Sequence, residues 1–378
     1  MKLRTITKLG VTLSVILFCI GIGFYGFAQL SIADEKNDVD FLSYIPQNCI
    51  AVFETDNVDY FLNEFPQMTY AEQLGFIYQA GITGTLLENL NHYAATSIHG
   101  LNGQTNRMLI SFHSSDNPDD RVVYFQMGED GKKLLIETLK QAFGSDFTPK
   151  KEKYRDKTIE IYPISPTQFI VLYSNNGLLA ISYQKRLIEQ VIDAQKDNNS
   201  LREDSVFTAI HHTKSVNFMT LYGRTSPFPL LSQERDKHCW NEFDIHMNSE
   251  VFYLSGGMYA PDSCMTSTIT KLNNIPFHKE DSLIIISGVN KVDSCISSTI
   301  ASPSHTLFEE CISNLSRDAS YIMVTDMDKI IQNPKPYQAY LPPFILKNIS
   351  LFRHFILSIQ ITKVNNHLTH IFVFTYKN

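Results

Sequence analysis

The chain has 378 residues, of which 43% are hydrophobic and 12% aromatic. That is enough for two ordinary domains or one large α+β body, and it excludes wholesale disorder. Only 19% of residues are charged and the net charge is −7, a balance that speaks against nucleic-acid binding, where neutralising phosphate dominates.

The amino terminus stands apart. Lys2, Arg4 and Lys8 precede residues 9–33, which carry no charge, and Asp34, Glu35, Asp38 and Asp40 follow. About 20 apolar residues span a bilayer as a helix, and basic residues before the span hold its start in the cytoplasm. Residues 1–33 are therefore expected to be a cytoplasmic stub and transmembrane signal anchor in a bacterial inner membrane, with the body in the periplasm. The competing reading is a signal peptide cut after Ala28, at Gly26-Phe27-Ala28, which would release a secreted form. The apolar run exceeds the roughly 7–15 residues of a signal-peptide core, which favours the anchor. Without the three leading basic residues, 29 basic face 39 acidic side chains, an acidic exported surface.

Residues 34–44 read as a linker. Residues 45–223 are expected to form a first α+β half. A strand covers 49–54, a short helix follows at 57–65, and helical pattern runs through 70–90. Strands are predicted at 92–99, 107–113 and 121–127, the last two joined through Ser-Ser-Asp-Asn-Pro-Asp-Asp. An amphipathic helix spans 131–143, with Leu134, Leu135, Leu139 and Ala142 inward. The clearest stretch is 154–222. Strands at 158–162, 169–173 and 178–183 surround an Asn176-Gly177 hairpin turn. A helix follows with Leu187, Ile188, Val191 and Ile192 in one stripe. Asp204 stands as N-cap of a short helix before Val206, Phe207 and Ile210, and a last strand covers 216–222.

Residues 223–239 read as an exposed break. A second α+β half is expected over 240–378. Strands cover 240–247 and 251–254, and Gly256-Gly257 extends the latter with a kink. The segments 283–289 and 291–294 resemble the opening strand and helix, and 320–326 parallels 122–127, which suggests two related halves. A hairpin, 355–362 and 368–376, turns at Asn365-Asn366. The fold expected is α+β, with two related halves, largely antiparallel sheets and helices packed on one face.

Four pieces in order carry a family resemblance. They are Ile45-Pro46-Gln47-Asn48 leading into Ala51-Val52-Phe53-Glu54; Leu179-Ala180-Ile181-Ser182 with Leu187-Ile188-Glu189, Ser200-Leu201 and Asp204-Ser205-Val206-Phe207; Trp240-Asn241-Glu242-Phe243-Asp244-Ile245 with Leu254-Ser255-Gly256-Gly257 and Asp262-Ser263; and the terminal hairpin. The set resembles the bacterial domain of unknown function DUF3352, in its membrane-anchored, exported Bacteroidetes form, over most of 45–378. The stretch 271–278 departs from the pattern, keeping only Ile275-Pro276 of an expected Gly-Gln-x-Pro. The resemblance implies location and fold, and no chemistry.

No catalytic signature appears: neither a Gly-x-Ser-x-Gly elbow nor His-Glu-x-x-His. His211-His212 lacks partners at ligand spacing, and His238-Cys239 with His246 would need a folded-back loop. Glu54 and Asp56 share a strand face and read as solvated rim residues. Beyond Cys19 in the expected anchor, the cysteines Cys49, Cys239, Cys264, Cys295 and Cys311 are odd in number, with no Cys-x-x-Cys. The stretch around Pro334-Lys335-Pro336-Tyr337 and Leu341-Pro342-Pro343-Phe344 reads as an exposed loop that could meet a partner. No catalytic, cofactor or metal residue is assigned. The expectation is a non-enzymatic binding or scaffold ectodomain with the membrane and an envelope protein as partners. The alternative is an envelope hydrolase with an unrecognised site. A deep pocket with convergent polar groups would favour the enzyme; an exposed apolar patch or flat groove would favour the binder.

Overall fold

A computed structural model describes residues 39–58, 67–71, 107–114, 117, 119–126, most of 132–140, 148–211, 219–224, 239–248, 250–280, 282–302, 306–341, 345–346, 349–365 and 367–377. Residues Phe41–Asn378 form one compact unit. Among the described residues no helix is long and apolar enough to cross a membrane. The expected span at 9–33, the strand at 92–99 and most of the helical pattern at 57–65 and 70–90 lie outside the described residues.

The first strands are β1 (Ala51–Thr55), β2 (Met108–Phe112), β3 (Arg121–Gln126), β4 (Lys150–Tyr154), β5 (Lys157–Ser165), β6 (Gln168–Asn175), β7 (Leu178–Ser182) and β8 (Thr220–Gly223). The rest are β9 (Trp240–Met247), β10 (Val251–Tyr259), β11 (His278–Glu280), β12 (Leu283–Ser287), β13 (Tyr321–Asp326), β14 (Phe355–Val364) and β15 (His367–Tyr376). They join in one sheet of order β11-β12-β13-β14-β15-β10-β9-β8-β1-β2-β3-β7-β6-β5-β4. Neighbours pair antiparallel throughout. The two sequence halves meet where β8 pairs with β9, from Thr220↔Asp244 to Gly223↔Asn241. The sheet therefore runs unbroken across the junction.

The hairpin turn at Asn176-Gly177 has both residues at positive φ, 46° and 83°. This backbone twist matches that of the flanking strands. Helix α1 (Lys185–Lys196) buries Leu187, Ile188, Val191 and Ile192 over β7, β6 and β3. Each such side chain contributes on the order of 1.5–3 kcal/mol. Helix α2 (Ser205–His211) starts at Asp204, whose Oδ1 accepts from the Phe207 amide at 3.1 Å. Leu135 and Leu139, from the 131–143 helix, are buried against β2, β3, β6 and β7.

Helices cover both faces of the sheet, not one as the sequence suggests. Helix α3 (Asp262–Asn273) packs Met265, Ile269 and Leu272 with Leu283, Ile285, Tyr321 and Met323. Helices α4 (Val289–Ile300) and α5 (Leu307–Ser313) pack Val292, Ile296, Cys311 and Ile312 with the alternate residues Ile284, Ile286, Ile322 and Val324. Helix α6 (Met327–Ile331) joins the α3 side through Met327 and Ile330. The reason lies in the strands: β12 reads Leu-Ile-Ile-Ile-Ser and is buried at every position. An uninterrupted apolar strand needs cover on both faces.

The repeat pairs differently from the reading above. β13 lies beside β12, whereas the strand beside β1 on this side is β2. Position for position, β2 rather than β3 corresponds to β13.

β10 runs through Gly256-Gly257 without a register shift, where the sequence suggests a kink, and the first glycine has a local cause. A Cβ on Gly256 would lie 2.0 Å from the Glu242 carbonyl oxygen. That oxygen accepts a hydrogen bond from His370 Nε2 at 2.8 Å. Gly256 pairs with His370, and the missing side chain lets the imidazole and the Phe243 ring close over it, 4.3 Å between centroids.

Candidate functional site

Two regions hold groups that could carry function. The first is a polar band across the middle of the sheet. Cross-strand pairing puts Val52, Tyr222 and Glu242 in one row and Glu54, Thr220 and Asp244 in the next, all on one face. Glu54 is fully buried, not a solvated rim residue. Its Oε1 accepts from Arg107 Nη2 at 3.0 Å and its Oε2 from His211 Nε2 at 2.8 Å. Burial pushes the Glu54 carboxyl up, and the His211 and Arg107 hydrogen bonds and charges more than offset this, leaving it below its ordinary value. Arg107 also lies 3.5 Å from Asp56.

Glu242 accepts from Tyr259 OH at 3.2 Å, and Asp244 from Thr220 Oγ1 at 2.8 Å. Tyr222 lies among them, fully buried, with a hydroxyl that makes no hydrogen bond. Burial, then the charges of Glu54, Glu242 and Asp244, push its pKa up. The Glu54–His211 pair has the carboxylate–imidazole contact of a general-base dyad. Here, however, Arg107 shares the carboxylate and Phe207 stacks on the imidazole at 5.9 Å. The carboxylate is thus shared between two donors, and one face of the imidazole is covered.

Beside the band lies a second polar knot. Asp204 Oδ2 accepts from Trp240 Nε1 and Arg224 Nη2, each at 3.1 Å. The Arg224 guanidinium sits 4.5 Å above the Trp240 ring and donates through Nε to the Cys49 carbonyl at 2.9 Å. It thereby ties the entry to β1 to the start of β9.

Of the two histidine readings the structure describes only some members. His212 and His238 lie outside the described residues. Cys239 is buried in the α3-side core. His246, in β9, stacks on Tyr253 at 4.6 Å. No group of three or more His, Cys, Asp or Glu that could hold a metal ion occurs among the described residues. The five described cysteines are free thiols.

No family model, curated protein or solved structure matches the chain.

The second region is at the end of the sheet. An open groove of about 480 Å³ runs between β11 and α4. It is lined by Phe277, Lys279 and Ile286 on the sheet side and by Lys291, Ser294 and Cys295 on the helix side. Phe277 is 59% exposed, and Val289, Ile300 and Leu307 add further exposed apolar surface along α4 and the start of α5. Cys295 is half-buried, and burial raises its thiol pKa, with the Lys279 charge acting against the rise. Nothing in the sequence marked this groove. The Pro-rich stretch near 334–344 is less open than expected: Tyr337 packs on the core and Leu341 is buried, while 342–344 lie outside the described residues.

Proposed function

We propose that the chain is a membrane-anchored, exported envelope protein whose periplasmic body binds a partner protein. On this reading residues 1–33 are the signal anchor, 34–44 the linker, and 45–378 a DUF3352-like ectodomain of two related halves that share one sheet. What supports the binding role is the groove beside β11, which is open, carries the exposed Phe277 and is set at the end of the described sheet. Patches of this kind mark interaction surfaces. The carboxylates of the central band, by contrast, are each engaged by neighbouring side chains. Among the described residues the hydrolase alternative has the Glu54–His211 pair to draw on, whose carboxylate Arg107 already holds.

The test is affinity purification of the full-length, membrane-extracted protein from its host, with mass spectrometry of bait and prey. The proposal expects a bait that retains residues 9–33 and a reproducible envelope partner. A bait that begins near Gln29 and brings down nothing specific would refute it.

A further inference from the structure

Resting on that binding reading, we propose that the β11–α4 groove takes an extended, acidic polypeptide segment, which lies along the outer edge of β11 as an added strand. Among the described residues the sheet order ends at β11, and no described strand pairs with its outer backbone edge. Such an edge is a template for strand addition.

Register decides which side chains greet the segment. Lys279 pairs with Ile284, on the face that α4 covers. His278 and Glu280 point to the opposite face, where they pair with each other at 3.0 Å. The groove thus contains Lys279 and Lys291 and no carboxylate. Among the described residues neither lysine has an acidic partner within ion-pair distance, and both are exposed. Two unpaired ammonium groups beside an exposed Phe277 favour a segment that alternates acidic and apolar side chains.

The dimensions fit. The α4 wall from Asn290 to Ser298 is about 12 Å long at 1.5 Å per residue. That is about four residues of extended strand at ~3.3 Å each. The other end of the sheet is built differently. β4 reads Lys-Lys-Glu-Lys-Tyr, and Lys150 and Lys151 are paired with Glu152 at 2.7 Å and Glu160 at 3.8 Å. That edge is guarded by its own charges.

The test uses the full-length protein in detergent and two fluorescein-labelled eight-residue probes, one alternating Glu and Val, the other Lys and Val, read by anisotropy. The Glu–Val probe should bind saturably. Its affinity should fall at least about tenfold in the K279E/K291E double variant, and should weaken as salt shortens the screening length from about 10 to about 3 Å. F277S should weaken it too, and K150E/K153E at the far edge should not. Unchanged Trp240 emission and urea midpoint in K279E/K291E exclude misfolding. Equal binding to K279E/K291E, no binding, or preference for the Lys–Val probe would overturn the proposal. If K279E/K291E still captures the envelope partner while the probe fails, the groove assignment falls and the binding reading stands. If neither the wild type nor the variant captures a partner, both fall.

Discussion

Trp240 Nε1 donates to Asp204 Oδ2 at 3.1 Å, and the same carboxylate caps α2 and receives Arg224. One aspartate thus links the start of a helix, the end of β8 and the start of β9, the place where the sheet halves join. Removing it strands an indole N–H and a guanidinium in a buried setting. D204A should cost about 3–5 kcal/mol, the range for breaking one side of a buried charge pair. Urea unfolding followed by fluorescence measures this directly, because Trp240 is the chain's single tryptophan.

Tyr222 makes the opposite prediction. Its hydroxyl is buried without a hydrogen bond, a condition that costs about 1–3 kcal/mol. Y222F should therefore leave stability unchanged or raise it by about 1 kcal/mol, where most core substitutions lower it. A loss larger than about 1.5 kcal/mol in the same unfolding assay would mean that the hydroxyl has a partner.

His370 sets a pH dependence. It is fully buried and donates to the Glu242 carbonyl, and burial pushes its pKa down to about 4. The unfolded chain takes up this proton below about 6.5; the folded chain does not until about 4. Acid therefore favours the unfolded state. The stabilisation is complete above the unfolded pKa and is lost progressively as pH falls toward 4, by as much as about 3 kcal/mol. H370Q keeps a donor without titrating and should flatten the urea-midpoint profile in that window. The Glu54 carboxyl, held below its ordinary value, contributes a further loss only below about 4.5.

Two glycines should behave oppositely. G256A would place a methyl group 2.0 Å from the Glu242 carbonyl oxygen, forcing β9 and β10 apart at a cost of about 1–3 kcal/mol or more. At Gly223, also in the central strands, a Cβ meets nothing within 4 Å, so G223A should stay within about 0.5 kcal/mol of the parent. Thermal melts of the pair separate a steric requirement from a general need for glycine.

Legibility followed the local chemistry. The 157–211 stretch was readable because Asn176-Gly177, the stripe from Leu187 to Ile192 and the cap at Asp204 are local signals, and each holds in the structure. β9 and the β14–β15 hairpin were readable for the same reason. β4 was missed because it is polar, lies at an edge, and reaches β5 through Arg155-Asp156, which reach positive φ without a glycine. Helix α3 was missed because its Ser and Thr residues are poor helix formers, although Met265, Ile269 and Leu272 carry its period. Glu54 was misplaced because burial of a carboxylate depends on Arg107 and His211, 53 and 157 residues away. The groove exists only once β11 and α4 are assembled, and no local pattern could announce it.

Site-specific photo-crosslinking in the host tests the central claim most directly, with a benzoylphenylalanine placed at Phe277 beside the groove or at Lys151 on the far edge. The binding account predicts one discrete crosslinked partner from position 277 and none from 151. A partner captured from 151 alone, or from neither position, would contradict it.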